Sequence, residues 1–176
     1  MNGQTVVQLL QSYQHDLMNE LQIIHGYSSM DKVDRVNDKI NALISTLEIE
    51  RNLLSIHAPE FILWVVQFNH LHENIRLVYR INSTYINLTD YDERIVSQLN
   101  QMVEVLKLFG DNTKMYELDM EIDIKSAENV SFTCSIQGEF ADRSALIEEL
   151  QSINKNMPLH SKQTSNGVIC EFSYAW

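Results

Sequence analysis

The residue with the clearest chemical potential is a histidine set in helical sequence. His15 lies in a run from residue 6 to about residue 54 that contains no proline and repeats apolar side chains at helical spacing. A helix turns roughly 100° per residue, so Tyr13, Leu17, Leu21 and Ile24 fall within roughly 60° of Leu10 and form one apolar stripe. On the same wheel Gln11, His15, Asn19, Gln22 and Gly26 fall at roughly 100° to 180°, a line of polar or small side chains spaced three and four apart. The sequence therefore turns His15 away from its own core, where an imidazole nitrogen is free to meet an incoming electrophile. An ordinary surface histidine fits the same wheel, so periodicity alone leaves both readings open.

Other reactive side chains lack a supporting pattern. His70 and His72 are two apart, which on a helix splays them, so no metal is expected there. His25, His57 and His160 stand without partners in sequence and read as ordinary residues. Cys134 and Cys170 have no second cysteine at metal-ligand spacing and read as buried, reduced thiols. The five glycines follow neither GxGxxG nor GxxxxGK spacing, so no loop for cradling a nucleotide's phosphates is expected. A formal charge of −11 opposes binding to nucleic acid and to anionic membrane, because both need clustered lysine and arginine. No basic leader opens the chain and no 18-residue uncharged apolar stretch occurs, so a soluble, cytoplasmic protein is expected.

Two halves with different hydrophobic periods must position these residues. Residues 1–58 read as a helical hairpin: a second apolar repeat runs through Val33, Val36, Ile40, Leu43, Ile44 and Leu47. The segment Gly26-Tyr27-Ser28-Ser29-Met30-Asp31 between the runs offers a helix-ending glycine and capping side chains. Two amphipathic helices leave much apolar surface wet, which predicts a homodimer closing a four-helix bundle. Pro59 ends this region. Residues 59–176 read as an α/β domain. A short apolar helix spans about 61–72, and alternating strands follow at 75–81, 118–124, 130–136 and 168–174. Helical patterns at 90–109 and 142–153 lie between them and can cover one face of a largely antiparallel sheet. A hairpin loop is expected at 125–129, and Asn166-Gly167 carries the residues of a type I′ turn. The fold class is thus α+β.

The string from His15 through Asp16, Leu17, Met18, Asn19, Glu20, Leu21, Gln22, Ile23, Ile24 and His25 to Gly26 resembles the phospho-accepting histidine box of the sporulation initiation phosphotransferase B family. Its diagnostic elements are His15-Asp16, Asn19 four residues on, Leu21-Gln22 at the next turn, and Gly26. A similar box occurs in citrate- and fumarate-type sensor kinases, but those also carry membrane spans, a sensor domain and glycine-rich ATP-binding boxes that are not found in this sequence. A hairpin followed by a small α/β domain looks like the whole sporulation phosphotransferase. The resemblance implies that the second domain is similar in fold to a histidine-kinase ATPase domain without nucleotide binding. It also implies transfer of a phosphoryl group from the phosphoaspartate of one response-regulator receiver to His15, and from there to the aspartate of a second receiver, in sporulation initiation. His15 is then the phospho-acceptor, with Asp16 and Asn19 beside it, and Gln11, Gln14, Met18 and Gln22 are candidate partner contacts. Gln14 stands where family members often have arginine. No cofactor of the chain's own is implied, since the receiver supplies Mg²⁺. The competing expectation is a dimeric module that binds response regulators without turnover.

Overall fold

A computed structural model describes residues 3–82, 87–126, 129–153 and 160–175. The chain divides into two compact units, Met1–Arg51 and Asn52–Trp176. The first holds helix α1 (Gly3–Ser29) and most of helix α2 (Val33–Leu54). The two are antiparallel: the Tyr13 hydroxyl donates to Glu50 Oε2 at 3.2 Å, and Lys39 pairs with Glu20 at 3.5 Å.

The turn between them departs from the expected one. Gly26 does not end α1, which continues to Ser29. Asp31 takes the left-handed position instead, at φ 54. Its backbone N–H donates to the Ser28 carbonyl at 3.1 Å while the Lys32 N–H donates to that of Tyr27 at 3.0 Å. That pair of bonds closes a helix end with a left-handed residue just beyond it, a position that aspartate tolerates better than most side chains. Asp31 therefore finishes α1 rather than capping α2.

Much of the hairpin's apolar stripe is open in the single chain. Leu10 is 61% exposed, Leu21 46% and Ile44 49%. Leu17, Ile24, Val36 and Leu43 are half-buried.

The second unit has one hydrophobic core. The last turn of α2 contributes Leu53, and Ile56 and Ala58 follow it inward. Helix α3 (Pro59–Leu71) begins with proline at its first position, where the missing N–H costs nothing. After strand β1 (Ile75–Ile81), a single 3₁₀ turn (Thr89–Tyr91) leads into α4 (Asp92–Phe109). Strands β2 (Tyr116–Ser126) and β3 (Asn129–Gln137), helix α5 (Arg143–Ser152), and strands β4 (His160–Gln163) and β5 (Gly167–Ala175) complete it. The Asp142 side chain caps α5 by accepting from the Ala145 N–H at 2.9 Å.

The strands form one sheet in the order β1-β2-β3-β5-β4. The pairings β2–β3, β3–β5 and β4–β5 are antiparallel, but β1 and β2 run parallel. A parallel pair needs a long crossover, and the segment carrying α4 supplies it. Alternation places Leu118, Met120 and Ile122 under the helices and Glu117, Asp119 and Glu121 on the other face, which makes the unit a two-layer α/β domain. The β4–β5 loop is not type I′, since none of Ser165, Asn166 and Gly167 has positive φ. Gly167 is required for another reason: a Cβ there would stand 1.8 Å from the Ile136 carbonyl oxygen on β3. The loop expected at 125–129 lies partly outside the described residues.

Candidate functional site

His15 sits in the interior of α1, where the backbone is fixed by helical hydrogen bonds and only the side chain is free to turn. Its side chain is 73% exposed and that of Asp16 75%. The wheel that turned His15 away from the apolar stripe is reproduced. Two neighbours reach the same imidazole nitrogen: Asp16 Oδ1 lies 3.3 Å from His15 Nδ1, and Asn19 Nδ2 lies 3.2 Å from it. The Asp16 contact spans adjacent residues, and the Asn19 contact spans one helical turn. Among the described residues no hydrogen bond engages Nε2, so the distal nitrogen points into solvent as the open end of the ring.

Gln11, Gln14 and Gln22 are exposed on α1, and Met18 is 50% exposed. None of them hydrogen-bonds to His15 among the described residues. They form a surface around the histidine rather than a first layer of contacts. The cross-helix pairs Tyr13–Glu50 and Glu20–Lys39 lie within a turn or two of His15 and tie the helix that carries it to α2. The wheel read Tyr13 only as a stripe residue. The Glu50 carboxylate beside it raises the phenol's pKa, because the negative charge opposes ionisation.

The second unit offers less chemistry. A cleft of about 730 Å³ between α4 and α5 is rimmed by Glu60, Glu93, Glu104 and Glu149 over Val105 and Ile153. Among the described residues no lysine or arginine lines it, so the described rim offers a polyphosphate no cation. Gly138 and Gly167 are occupied by packing against Tyr116 and Ile136. Among the described residues no group of three or more histidine, cysteine, aspartate or glutamate side chains is placed to hold a metal ion. No described helix is long and apolar enough to cross a membrane.

Comparison with known proteins adds to this geometry. Residues 1–56 match the family model of the SpoOB-type sensor kinase alpha-helical domain. The chain is 25% identical over 142 residues to sporulation initiation phosphotransferase B of Bacillus subtilis (strain 168), covering 81% of this chain and 67% of that protein. Among solved structures it is similar to a blue-light activated histidine kinase of Erythrobacter litoralis, at 14% identity and a TM-score of 0.49, covering 96% of this chain and 58% of that one. It is also similar to the histidine kinase ThkA solved in complex with the response regulator TrrA, at 14% identity and a TM-score of 0.48, covering 96% of this chain and 61% of that one. The resemblance to the sporulation initiation phosphotransferase B family first read between His15 and Gly26 is thus shown, across the hairpin by the family model and over most of the chain by the Bacillus relative.

Proposed function

We propose that this chain is a phosphorelay phosphotransferase of sporulation signalling. It takes a phosphoryl group on His15 from the phosphoaspartate of one response-regulator receiver and gives it to the aspartate of another. The observation that carries the reading is the exposed imidazole of His15, engaged at Nδ1 by Asp16 and Asn19 and open at Nε2.

The reaction follows from that arrangement. The lone pair of Nε2 attacks phosphorus, a P–N bond forms, and the P–O bond to the receiver's aspartate breaks with its electron pair leaving on the carboxylate. The imidazole, carrying its proton on Nδ1, becomes positively charged. Asp16 is placed to accept that N–H and offset the charge. Asn19 stands one turn on, where its amide can reach the phosphoryl oxygens. Because phosphoryl transfer depends mainly on alignment and charge neutralisation, the receiver supplies Mg²⁺ and this chain supplies a positioned nucleophile. A phosphohistidine and an acyl phosphate have comparable transfer potential, so the same steps run in reverse to load the second receiver. Gln11, Gln14, Met18 and Gln22 surround the nucleophile as receiver contacts.

The exposed Leu10, Leu21 and Ile44 fit a hairpin that pairs with a second copy as a four-helix bundle. In this reading the protein works in the cytoplasm, where receivers are found.

The test is transfer of labelled phosphate from a phosphorylated receiver to wild type and to His15→Ala. Label on wild type alone that is lost in acid and kept in base supports the reading. Stable receiver binding without any label replaces it with a non-catalytic binding module.

A further inference from the structure

We propose that Asn19 is a positioning residue that sets the tautomer of His15, holding Nε2 protonated and unreactive until a phosphoryl group draws its amide away. The inference rests on the phosphotransfer reading, and it comes from two contacts that cannot both be satisfied. A neutral imidazole carries one N–H, so Nδ1 is either a donor or an acceptor. The Asp16 carboxylate only accepts, so it needs the proton on Nδ1. The Asn19 Nδ2 only donates, so it needs the lone pair there. The structure sets them 3.3 Å and 3.2 Å from the same atom.

The two arrangements have opposite chemistry. With Asn19 donating to Nδ1, the ring proton sits on Nε2 and no lone pair is available at the open end of the ring. With Nδ1–H donating to Asp16, the Nε2 lone pair points outward and is nucleophilic. Both side chains are exposed and act in high dielectric, so the two states differ by only about one exposed hydrogen bond, with the idle ring on the Nε2–H side.

An arriving acyl phosphate changes the balance. Its oxygens carry negative charge and accept the Asn19 N–H more strongly than a neutral imidazole nitrogen does. Once the amide turns to them, Nδ1 is left to Asp16. The ring proton passes from Nε2 to Nδ1 through water, with no net gain or loss. Attack then proceeds as described above, with the aspartate carboxylate as leaving group. The electrophile thereby exposes its own nucleophile, and an idle His15 is shielded from other electrophiles.

The experiment is nitrogen-15 NMR on full-length protein labelled at histidine, at about pH 8.5 where an ordinary imidazole is neutral. His15→Ala assigns the resonances. Expected is a mainly Nε2–H ring in wild type. Asn19→Ala should raise the ratio of Nδ1–H to Nε2–H about threefold, the scale of one exposed hydrogen bond. Asn19→Asp, whose carboxylate only accepts, should raise it further, and Asp16→Ala should lower it. An unchanged ratio in both Asn19 variants, or a shift toward Nε2–H, overturns the proposal. Docking a receiver loaded with beryllofluoride, an acyl-phosphate mimic, should move wild type toward Nδ1–H, and a docked receiver that leaves the tautomer unchanged overturns the release step. A receiver that does not dock counts against the phosphotransfer reading instead, while the variants still decide the role of Asn19.

Discussion

Removal of the Asp92 carboxylate is expected to cost the second unit about 3 kcal/mol, more than an ordinary surface change, because it is the N-terminal cap of a helix to which it does not belong. Helix α3 starts at Pro59 after Ala58, which has no side-chain oxygen to offer the first N–H groups. Asp92, at the start of α4 and 5% exposed, supplies both acceptors: Oδ2 takes the Glu60 N–H at 2.8 Å and Oδ1 the Phe61 N–H at 2.7 Å. A hydrogen bond to a charged acceptor contributes about 1.5–3 kcal/mol, and an orphaned buried donor costs about 1–3 kcal/mol. The Phe61 donor is buried and bears the full penalty, whereas water can partly reach that of Glu60. Against this, alanine's better helix propensity returns only about 0.5 kcal/mol at the first position of α4. Asp92→Asn keeps one acceptor but turns an N–H toward the other donor, so it should lose about half as much. Urea titration followed by the fluorescence of Trp64, which packs 4.8 Å from Phe68, measures both variants. An Asp92→Ala protein within about 1 kcal/mol of wild type at unchanged slope would refute the capping argument.

Other positions test the packing and electrostatics separately. Gly167→Ala forces a Cβ into the Ile136 carbonyl, so it should shift or break the β3–β5 pairing and lower the melting temperature steeply, whereas Gly26→Ala, with nothing within 4 Å of a new Cβ, should be neutral or stabilising. Burial against Phe68 lowers the His72 pKa, with Lys107 adding to the shift and Glu104 opposing it. The unfolded chain therefore takes up this proton first, and stability falls as pH drops from about 7 through the unfolded value of about 6.5. His72→Phe should flatten that part of the stability–pH profile, and an unchanged profile would show that the ring's burial is not felt. Burial pushes the Cys170 thiol up to about 12 and that of Cys134 well above its ordinary value. Both should resist thiol reagents in the native protein and react at the rate of unfolding.

How much of this could be read without coordinates depends on whether a feature is local. The helix carrying His15 and the strands with alternating Leu118, Met120 and Ile122 are local patterns, and both were legible. Gly26 is the stronger helix breaker in the sequence, yet α1 ends at Ser29, because Asp31 accepts the left-handed position with Schellman-type bonds made by the backbone. Strand β4 is not legible in the sequence because His160-Ser161-Lys162-Gln163 has no apolar alternation; it is an edge strand, where polar side chains discourage pairing with other chains. The parallel β1–β2 pairing is invisible to alternation, which has no direction. The role of Asp92 depends on a contact 31 residues away that no local rule encodes. At the site, the wheel placed His15 and Asn19 on one face, but only coordinates show that Asp16 and Asn19 converge on a single nitrogen.

The openness of the hairpin ties assembly to chemistry. Leu10, Leu21 and Ile44 stay exposed on helices that Tyr13–Glu50 and Lys39–Glu20 tie together, so the helix that carries His15 keeps an uncovered apolar stripe. In the proposed bundle, a partner that covers those side chains would hold α1 from a second side and so steady the direction in which His15 points. Leu21→Lys tests this link. Covering a leucine contributes about 1.5–3 kcal/mol, and two-fold symmetry counts it twice, so dimerisation should weaken by about 10² to 10⁴ fold. His15 lies more than a turn away and is untouched by the change. Transfer measured across a dilution series should then fall in step with the dimer fraction seen by light scattering. Full-rate transfer by a monomeric variant would show that one hairpin positions its own histidine and that the bundle serves another purpose.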